Sequence, residues 1–422
     1  MHFLVIPAVL IPLAFIFVFL TLNDPVPFIG IYSRPGKWYW PKFHLMRLLI
    51  TWRQFRSGRG KKSEDLMNSQ FGGDGGVRNT EEMEKKHKLE GEWSADAVFF
   101  DASNREGWYF TLGTAQRQND IMNLFFVLRI PTVGVFVNEE LLTNTNVKSI
   151  NTCDATWETE SGFVVKCIEP MKKWSLKFNG KLTKSPGITI FRKAGPETLP
   201  VPVKTINVSF DLIWTNFGEQ FDFDKSVSPI SIAHSLAIEP WSRELFEKLR
   251  SSHQTHYEQF GHINGTFDIL DMRYTTRMTS MRDHTIAAHR RWTDIRRYIM
   301  MIYHLNDGTC IHTSVISMPG VVFSQLEFGY MVMSNGKTKP VDRVYFSLVH
   351  NGEDKSFPTS FGYAFQVGTR IYNVDVRIVD GVSFKMGLDL GCQVDEGMAE
   401  FTVDGESTGY GFVELEYRIA PY

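Results

Sequence analysis

From residue 179 onward the chain is punctuated by Asn-Gly and Asp-Gly dipeptides: Asn179-Gly180, Asn264-Gly265, Asp307-Gly308, Asn335-Gly336, Asn351-Gly352, Asp380-Gly381 and Asp404-Gly405. Both members of such a pair reach the positive φ angles of a two-residue type I′ turn, so each predicts a hairpin between antiparallel strands. Between the turns apolar residues recur at a period of two, as at Val208, Phe210, Leu212 and Trp214, the pattern of a half-buried strand. The expectation is an all-β fold of two tandem antiparallel barrel or sandwich domains, at 91–235 and 236–422, wide enough to hold a ligand. One linking helix, Glu239–Ser252, is expected at the junction, with Pro240 at its start and Trp241, Leu245, Phe246 and Leu249 on one side.

The first ninety residues read differently. Phe3 to Leu22 is an uncharged, mostly apolar run of the length that spans a bilayer, without the basic start of a cleaved signal peptide. It predicts a transmembrane anchor over residues 1–24. Arg34, Lys37, Lys42 and Arg47 follow it, and the positive-inside rule then places the body on the cytosolic face of an internal membrane, such as the endoplasmic reticulum. Two sequons, Asn207-Val208-Ser209 and Asn264-Gly265-Thr266, argue weakly for the opposite side. Residues 25–56 form an interfacial amphipathic segment in this reading, with Leu45, Leu48, Leu49 and Trp52 on one helical face; a helix packed on the body is the alternative. Residues 57–90, polar and carrying Gly72-Gly73-Asp74-Gly75-Gly76, read as a disordered linker.

A net charge of -2 over 422 residues gives no electrostatic reason to bind nucleic acid. The four cysteines show no metal-finger spacing; a Cys153–Cys167 bridge is left open. His284 and His289 fall on opposite faces of a strand, and no metal site or cofactor signature is found.

The densest ionisable and aromatic cluster lies at 256–298. Two readings of Asp283 stand. Facing an apolar interior, its carboxyl becomes a proton donor, because desolvation favours the neutral acid; otherwise it pairs with Arg282, Arg290 or Arg297 and closes a strand end. Neighbours in a strand point oppositely, so Asp283 and His284 cannot both face the same interior. His256 and Glu258 share a face, either in a polar network with Asp283 or satisfying one another at a domain interface. Trp292 and Tyr298 are core residues or ligand contacts.

These residues carry a resemblance. His256-Tyr257-Glu258-Gln259-x-Gly261, Arg282-Asp283-His284, Arg291-Trp292, Arg297-Tyr298 and Asn306-Asp307-Gly308 resemble the C-terminal half of a lipocalin-duplication family. That family includes the carotenoid 1,2-hydratases (hydroxyneurosporene synthases) and AttH-like proteins. Trp93-x-x-Asp96, Phe99-Phe100-Asp101 and Gly107-Trp108-Tyr109-Phe110 are similar to its opening strands, and Gly409-x-Gly411-x-x-Glu414 to its last. The nearest likeness is to the β-rich region preceding the phosphotransferase modules of animal phosphoenolpyruvate synthase-like proteins. No phosphotransferase module is present. Thr285-Ile286-Ala287-Ala288-His289 stands where the family has an aromatic and a glycine, removing a ring that would stabilise a cation.

The resemblance implies tandem lipocalin-like domains acting on a hydrophobic lipid or isoprenoid, as an acid-catalysed hydratase, isomerase or cyclase. Asp283 is then the proton donor and His284 and Glu258 its catalytic partners. His256, Arg282, Arg290, Trp292, Arg297, Tyr298 and Trp108 are the ligand contacts. The alternatives are a lipid-binding or transfer protein without chemistry, and a β-rich interaction scaffold. The expected partners are a membrane and a hydrophobic small molecule.

Overall fold

The computed structural model describes residues 23–59, 80–150, 155–185 and 204–419. It is mostly β, with two antiparallel sheets. The first has twelve strands among the described residues: β1 (Ala95–Ser103), β2 (Tyr109–Gln116), β3 (Ile121–Ile130), β4 (Gly134–Asn138), β5 (Asn146–Ile150), β6 (Thr156–Thr159), β7 (Phe163–Glu169), β8 (Lys173–Ser185), β9 (Thr205–Asn216), β10 (Phe221–Asp222), β11 (Gln254–Ile269) and β12 (Met272–Ala287). Because β9 pairs with both β8 and β11, and β12 with β1, the hydrogen-bonding path returns to its start and the sheet closes into a barrel.

The second sheet has nine: β13 (Arg297–Leu305), β14 (Cys310–Ser317), β15 (Leu326–Val332), β16 (Thr338–Pro340), β17 (Arg343–Tyr345), β18 (Ser360–Val367), β19 (Arg370–Met386), β20 (Cys392–Val403) and β21 (Ser407–Arg418). Its ends approach through residues 338–345, which pair with β15 at their start and β18 at their end.

The alternation of each strand sorts its side chains into layers. Val98, Phe100, Phe110, Leu112 and Phe126 fill the first barrel. Ile299, Met301, Tyr303, Phe365 and Phe401 belong to the core of the second. Between the sheets lies a third apolar layer, drawn from the outer faces of both. There Phe125 stacks on Phe384 at 5.2 Å and Tyr109 meets Phe412 edge-on at 5.5 Å.

Several expectations change. The domain boundary drawn at 235/236 does not divide the sheets: β11 and β12 complete the first barrel, and the second sheet begins at Arg297. Of the hairpin dipeptides, Asp307-Gly308, Asn335-Gly336 and Asp404-Gly405 sit in tight turns, Asn351-Gly352 in a longer loop, and the other three inside strands. Gly265 serves close approach instead, since a Cβ there would stand 2.2 Å from the Asp211 carbonyl oxygen of β9. A two-residue turn between β11 and β12 is made by Leu270 and Asp271, both at positive φ without a glycine.

In place of one linking helix there are two. Helix α3 (Pro229–Ile238) is capped by Ser228, whose Oγ accepts from Ile230 N at 3.1 Å, and α4 (Arg243–Ser251) by Ser242, whose Oγ accepts from Leu245 N at 3.0 Å. Pro240 lies in the break. Upstream are α1 (Tyr39–Arg59) and the single turn α2 (Thr80–Met83). Helix α1 buries Tyr39 and Phe43 against Ala233, Ala237 and Ile238 of α3 and exposes Leu45, Leu48, Leu49 and Trp52. Of the linker expected over 57–90, residues 60–79 lie outside the described residues, and Met83 and Glu84 are buried. Cys167 is buried and has no disulfide partner among the described residues; Cys153, with which a bridge was left open, lies outside them.

The single-pass, cytosol-facing localisation is corrected. Among the described residues no helix is long and apolar enough to cross a membrane. The run Phe3–Leu22, on which that reading stood, lies outside the described residues.

Candidate functional site

A cavity of about 350 Å³ lies between the two sheets, outside the first barrel. Phe99, Phe125, Phe223, Phe328, Met300 and Trp292 contribute apolar wall, and Asp283, Glu258, His256, His312, Tyr298 and Glu414 contribute polar atoms. The exposed His289 and Arg291 also line it, so one end reaches the surface.

The strand register explains how the polar groups converge. Asp283 on β12 is flanked by Phe99 of β1 on one side and Glu258 of β11 on the other. All three point outward from the first barrel, toward the second sheet. The carboxyl of half-buried Asp283 makes no hydrogen bond to any described residue, and desolvation pushes it above the usual aspartate range. Its neighbour is the opposite case. Glu258 Oε1 lies 2.9 Å from His256 Nε2, and Oε2 lies 2.7 Å from His312 Nδ1. Burial alone would raise its pKa, but the two imidazoles hold it at about 2. The network continues from His312 Nε2 to Ser314 Oγ at 2.6 Å and from His256 Nδ1 to Thr285 Oγ1 at 2.7 Å. Burial works against protonating His256, yet the Glu258 carboxylate and the charge at Asp283 raise its pKa.

On the far wall Tyr298 donates a hydrogen bond to Glu414 Oε1. Burial raises both Glu414 and Glu396, its direct partner across the β20–β21 ladder. Arg290, at the cavity wall, stacks over Trp292 at 5.4 Å. The arrangement therefore offers one unpartnered, half-buried carboxyl, a fixed imidazole–carboxylate–imidazole chain and a mostly apolar enclosure. It is suited to moving a proton onto a molecule with few polar groups.

Of the residues singled out in the sequence, the structure brings Asp283, Glu258, His256, Arg290, Trp292 and Tyr298 to this cavity. Four lie elsewhere. His284 and Arg282 point into the first barrel, on the opposite face of β12 from Asp283. Arg282 is buried against Glu84 at 2.8 Å, between the rings of Trp174 and Trp214 at 5.2 and 5.1 Å. Trp108 packs on Phe267 in the first barrel's core. Arg297 belongs to the second sheet, 2.8 Å from Glu353 and stacked on Tyr417.

Sequence reasoning gave no site role to His312, Ser314 and Glu414, nor to Asp96, His87 and Glu84. His284 Nε2 lies 2.7 Å from Asp96 Oδ1, and His87 Nδ1 lies 3.2 Å from Asp96 Oδ2. Burial would raise Asp96, but the charge and hydrogen bonds of His284, with those of His87, hold it at about 2. The strand pairing of β1 with β12 is what joins residues so distant in the chain, and only Trp93-x-x-Asp96 hinted at it.

Residues 3–396 match a family of unknown function, DUF8627. The chain belongs to that family. No curated protein sequence matches it. Among solved structures it is similar to an AttH protein from Nitrosomonas europaea, at 11% identity and a TM-score of 0.49 over 77% of this chain and 92% of that one. It is similar also to kievitone hydratase from Nectria haematococca, at 11% identity and a TM-score of 0.43 over 77% and 89%. The third is CghA with Sch210972, at 10% identity and a TM-score of 0.42 over 78% and 89%. The likeness to phosphoenolpyruvate synthase-like proteins gains no support from these comparisons.

Proposed function

We propose that the cavity between the sheets binds a hydrophobic small molecule of lipid or isoprenoid type, and that Asp283 protonates it. The reaction class is acid-catalysed hydration, isomerisation or cyclisation of a carbon–carbon double bond. One observation carries this reading: a carboxyl without a hydrogen-bond partner, raised by burial, in the wall of an apolar cavity. A volume of about 350 Å³ falls at the lower end of ligand pockets.

In the first step the Asp283 O–H proton moves to one alkene carbon, leaving a carbocation at the other and a carboxylate at position 283. His256 and Arg290, both at the cavity wall, offset that new negative charge. The rings of Phe99 and Trp292, which line the cavity, supply the aromatic surroundings that a carbocation needs, in a site whose Thr285 lacks the ring found in the resembled family. Water then adds, a neighbouring C–H is lost, or a second double bond attacks the cation and a C–H is lost from the cyclised product. In each case the released proton returns to Asp283. His284 takes no part, because it faces the other way.

A carrier without chemistry remains the second reading, favoured by the mostly apolar cavity wall itself. Mass spectrometry of small molecules released from the full chain, followed by incubation with isoprenoid alkenes, tests both. Expected are a bound apolar molecule and a product that is lost in Asp283→Asn. A product unaffected by that substitution would defeat the catalytic assignment, and bound ligand without product would leave the carrier.

A further inference from the structure

Inside the first barrel, away from the cavity, three side chains from separate parts of the chain converge: His87 from the segment before β1, Asp96 on β1 and His284 on β12. Their candidate ligand atoms all lie within 4.8 Å of one another. Asp96 and His284 are buried, while His87 keeps 31% of its side chain exposed at the barrel's edge. We propose that His87, Asp96 and His284 form a binding site for a divalent transition-metal ion of the zinc and cobalt class.

The first argument is hydrogen-bond accounting. The Tyr257 hydroxyl has one proton and three neighbours able to accept it: the Met83 carbonyl at 2.9 Å, Glu84 Oε1 at 2.8 Å and His284 Nδ1 at 2.8 Å. The Glu84 carboxylate, already paired with Arg282, is the strongest acceptor of the three. Tyr257 then gives its proton to Glu84 and accepts one from His284 Nδ1–H. This assignment rests on the network, since hydrogens are inferred from it. It points the Nε2 lone pair at a carboxylate oxygen 2.7 Å away. Two acceptors at that distance need a positive centre between them, either a proton or a metal ion.

The second argument is the donor set. Two imidazoles and one carboxylate form a borderline N₂O set that suits zinc, cobalt, nickel or iron and suits calcium and magnesium poorly. Donors about 2.1 Å from a tetrahedral metal are roughly 3.4 Å apart; His87 Nδ1 already stands 3.2 Å from Asp96 Oδ2, and the 2.7 Å between His284 Nε2 and Asp96 Oδ1 opens by about 0.7 Å to admit the ion.

The third argument is the surroundings. His284 has an outer partner in Tyr257, the usual device that fixes the tautomer and the ring of a ligating histidine. Its ring is also held edge-on by Trp157 at 5.4 Å. The partial exposure of His87 supplies an entry path and leaves room for a water ligand.

A proton would serve the same electrostatic need, and the experiment separates the two. The full chain is stripped with chelator and titrated with Zn²⁺ and with Co²⁺. Elemental analysis gives stoichiometry, and visible absorption reports the cobalt ligand field. Expected is one equivalent, with an absorption spectrum typical of low coordination. His87→Ala removes a partly exposed ligand and should weaken binding about 100-fold or more, with the far-ultraviolet circular dichroism of the stripped protein unchanged. His350→Ala, a surface histidine elsewhere, should leave binding as it was. Failure to take up one equivalent of either ion would overturn the proposal, as would binding that survives His87→Ala.

Discussion

Glu258 and Asp283 stand directly opposite one another across the β11–β12 ladder, on the face turned toward the second sheet. Two carboxyls so placed share one field, yet their environments drive them apart. Glu258 is gripped by two histidines and held at about 2, whereas Asp283 has no hydrogen-bond partner and is raised by burial, with the Glu258 charge adding to the shift. Such a pair divides the labour of acid chemistry, one group keeping a charge and the other keeping a proton.

Asp283→Asn keeps the shape of the side chain and removes its acidic proton. Turnover of an alkene substrate is expected to fall by about 10²–10⁴-fold, with ligand affinity little changed. Product formation by chromatography and binding by fluorescence measure the two separately. Stability is expected to hold or rise, because an unpartnered, half-buried carboxyl is lost.

Glu258→Gln removes the negative charge beside Asp283 and so lowers the pKa of that acid. Since Asp283 works protonated, the alkaline limb of the rate profile should move to lower pH. Rates measured across pH for both proteins test the direction; a shift to higher pH contradicts the coupling.

Glu84→Ala leaves the Arg282 guanidinium buried between Trp174 and Trp214 without its carboxylate. Breaking a buried pair from one side costs about 3–5 kcal/mol. Urea unfolding should show the loss in the denaturation midpoint, and the double variant Glu84→Ala, Arg282→Met should recover part of it.

Glu416, on β21, is pushed up to about 8 by burial. Its folded value lies above its unfolded one, near 4.3. The stability it contributes is therefore complete below that lower value and is lost as pH rises toward 8. Thermal midpoints of Glu416→Gln should decline less than those of the parent between those limits. Glu258 carries the opposite sign: its contribution is present above about 4.3 and is lost as pH falls toward 2.

The period-two strands and the opposition of Asp283 to His284 were legible in the chain, because both follow from local geometry. The turns were less so. Leu270-Asp271 makes a two-residue turn without glycine, while Asn264-Gly265 lies within a strand, where the glycine admits the backbone of β9. The site was only half visible. Glu258 and His256 sit on one strand, but His312 comes from the second sheet and Glu414 from the last strand, and no local pattern pairs them. Glu84 escaped for another reason: its charged, polar neighbourhood reads as solvent-facing, and the partners that bury it, Arg282 198 residues away and Tyr257, lie far along the chain.

The most direct test follows the carboxyl carbon of Asp283 by ¹³C NMR, in protein labelled at aspartate and assigned with Asp283→Asn, through a pH titration with and without geraniol. The account expects a midpoint clearly above the ordinary value of about 3.9, rising further when the alcohol fills the cavity. An ordinary midpoint that geraniol does not move would contradict it.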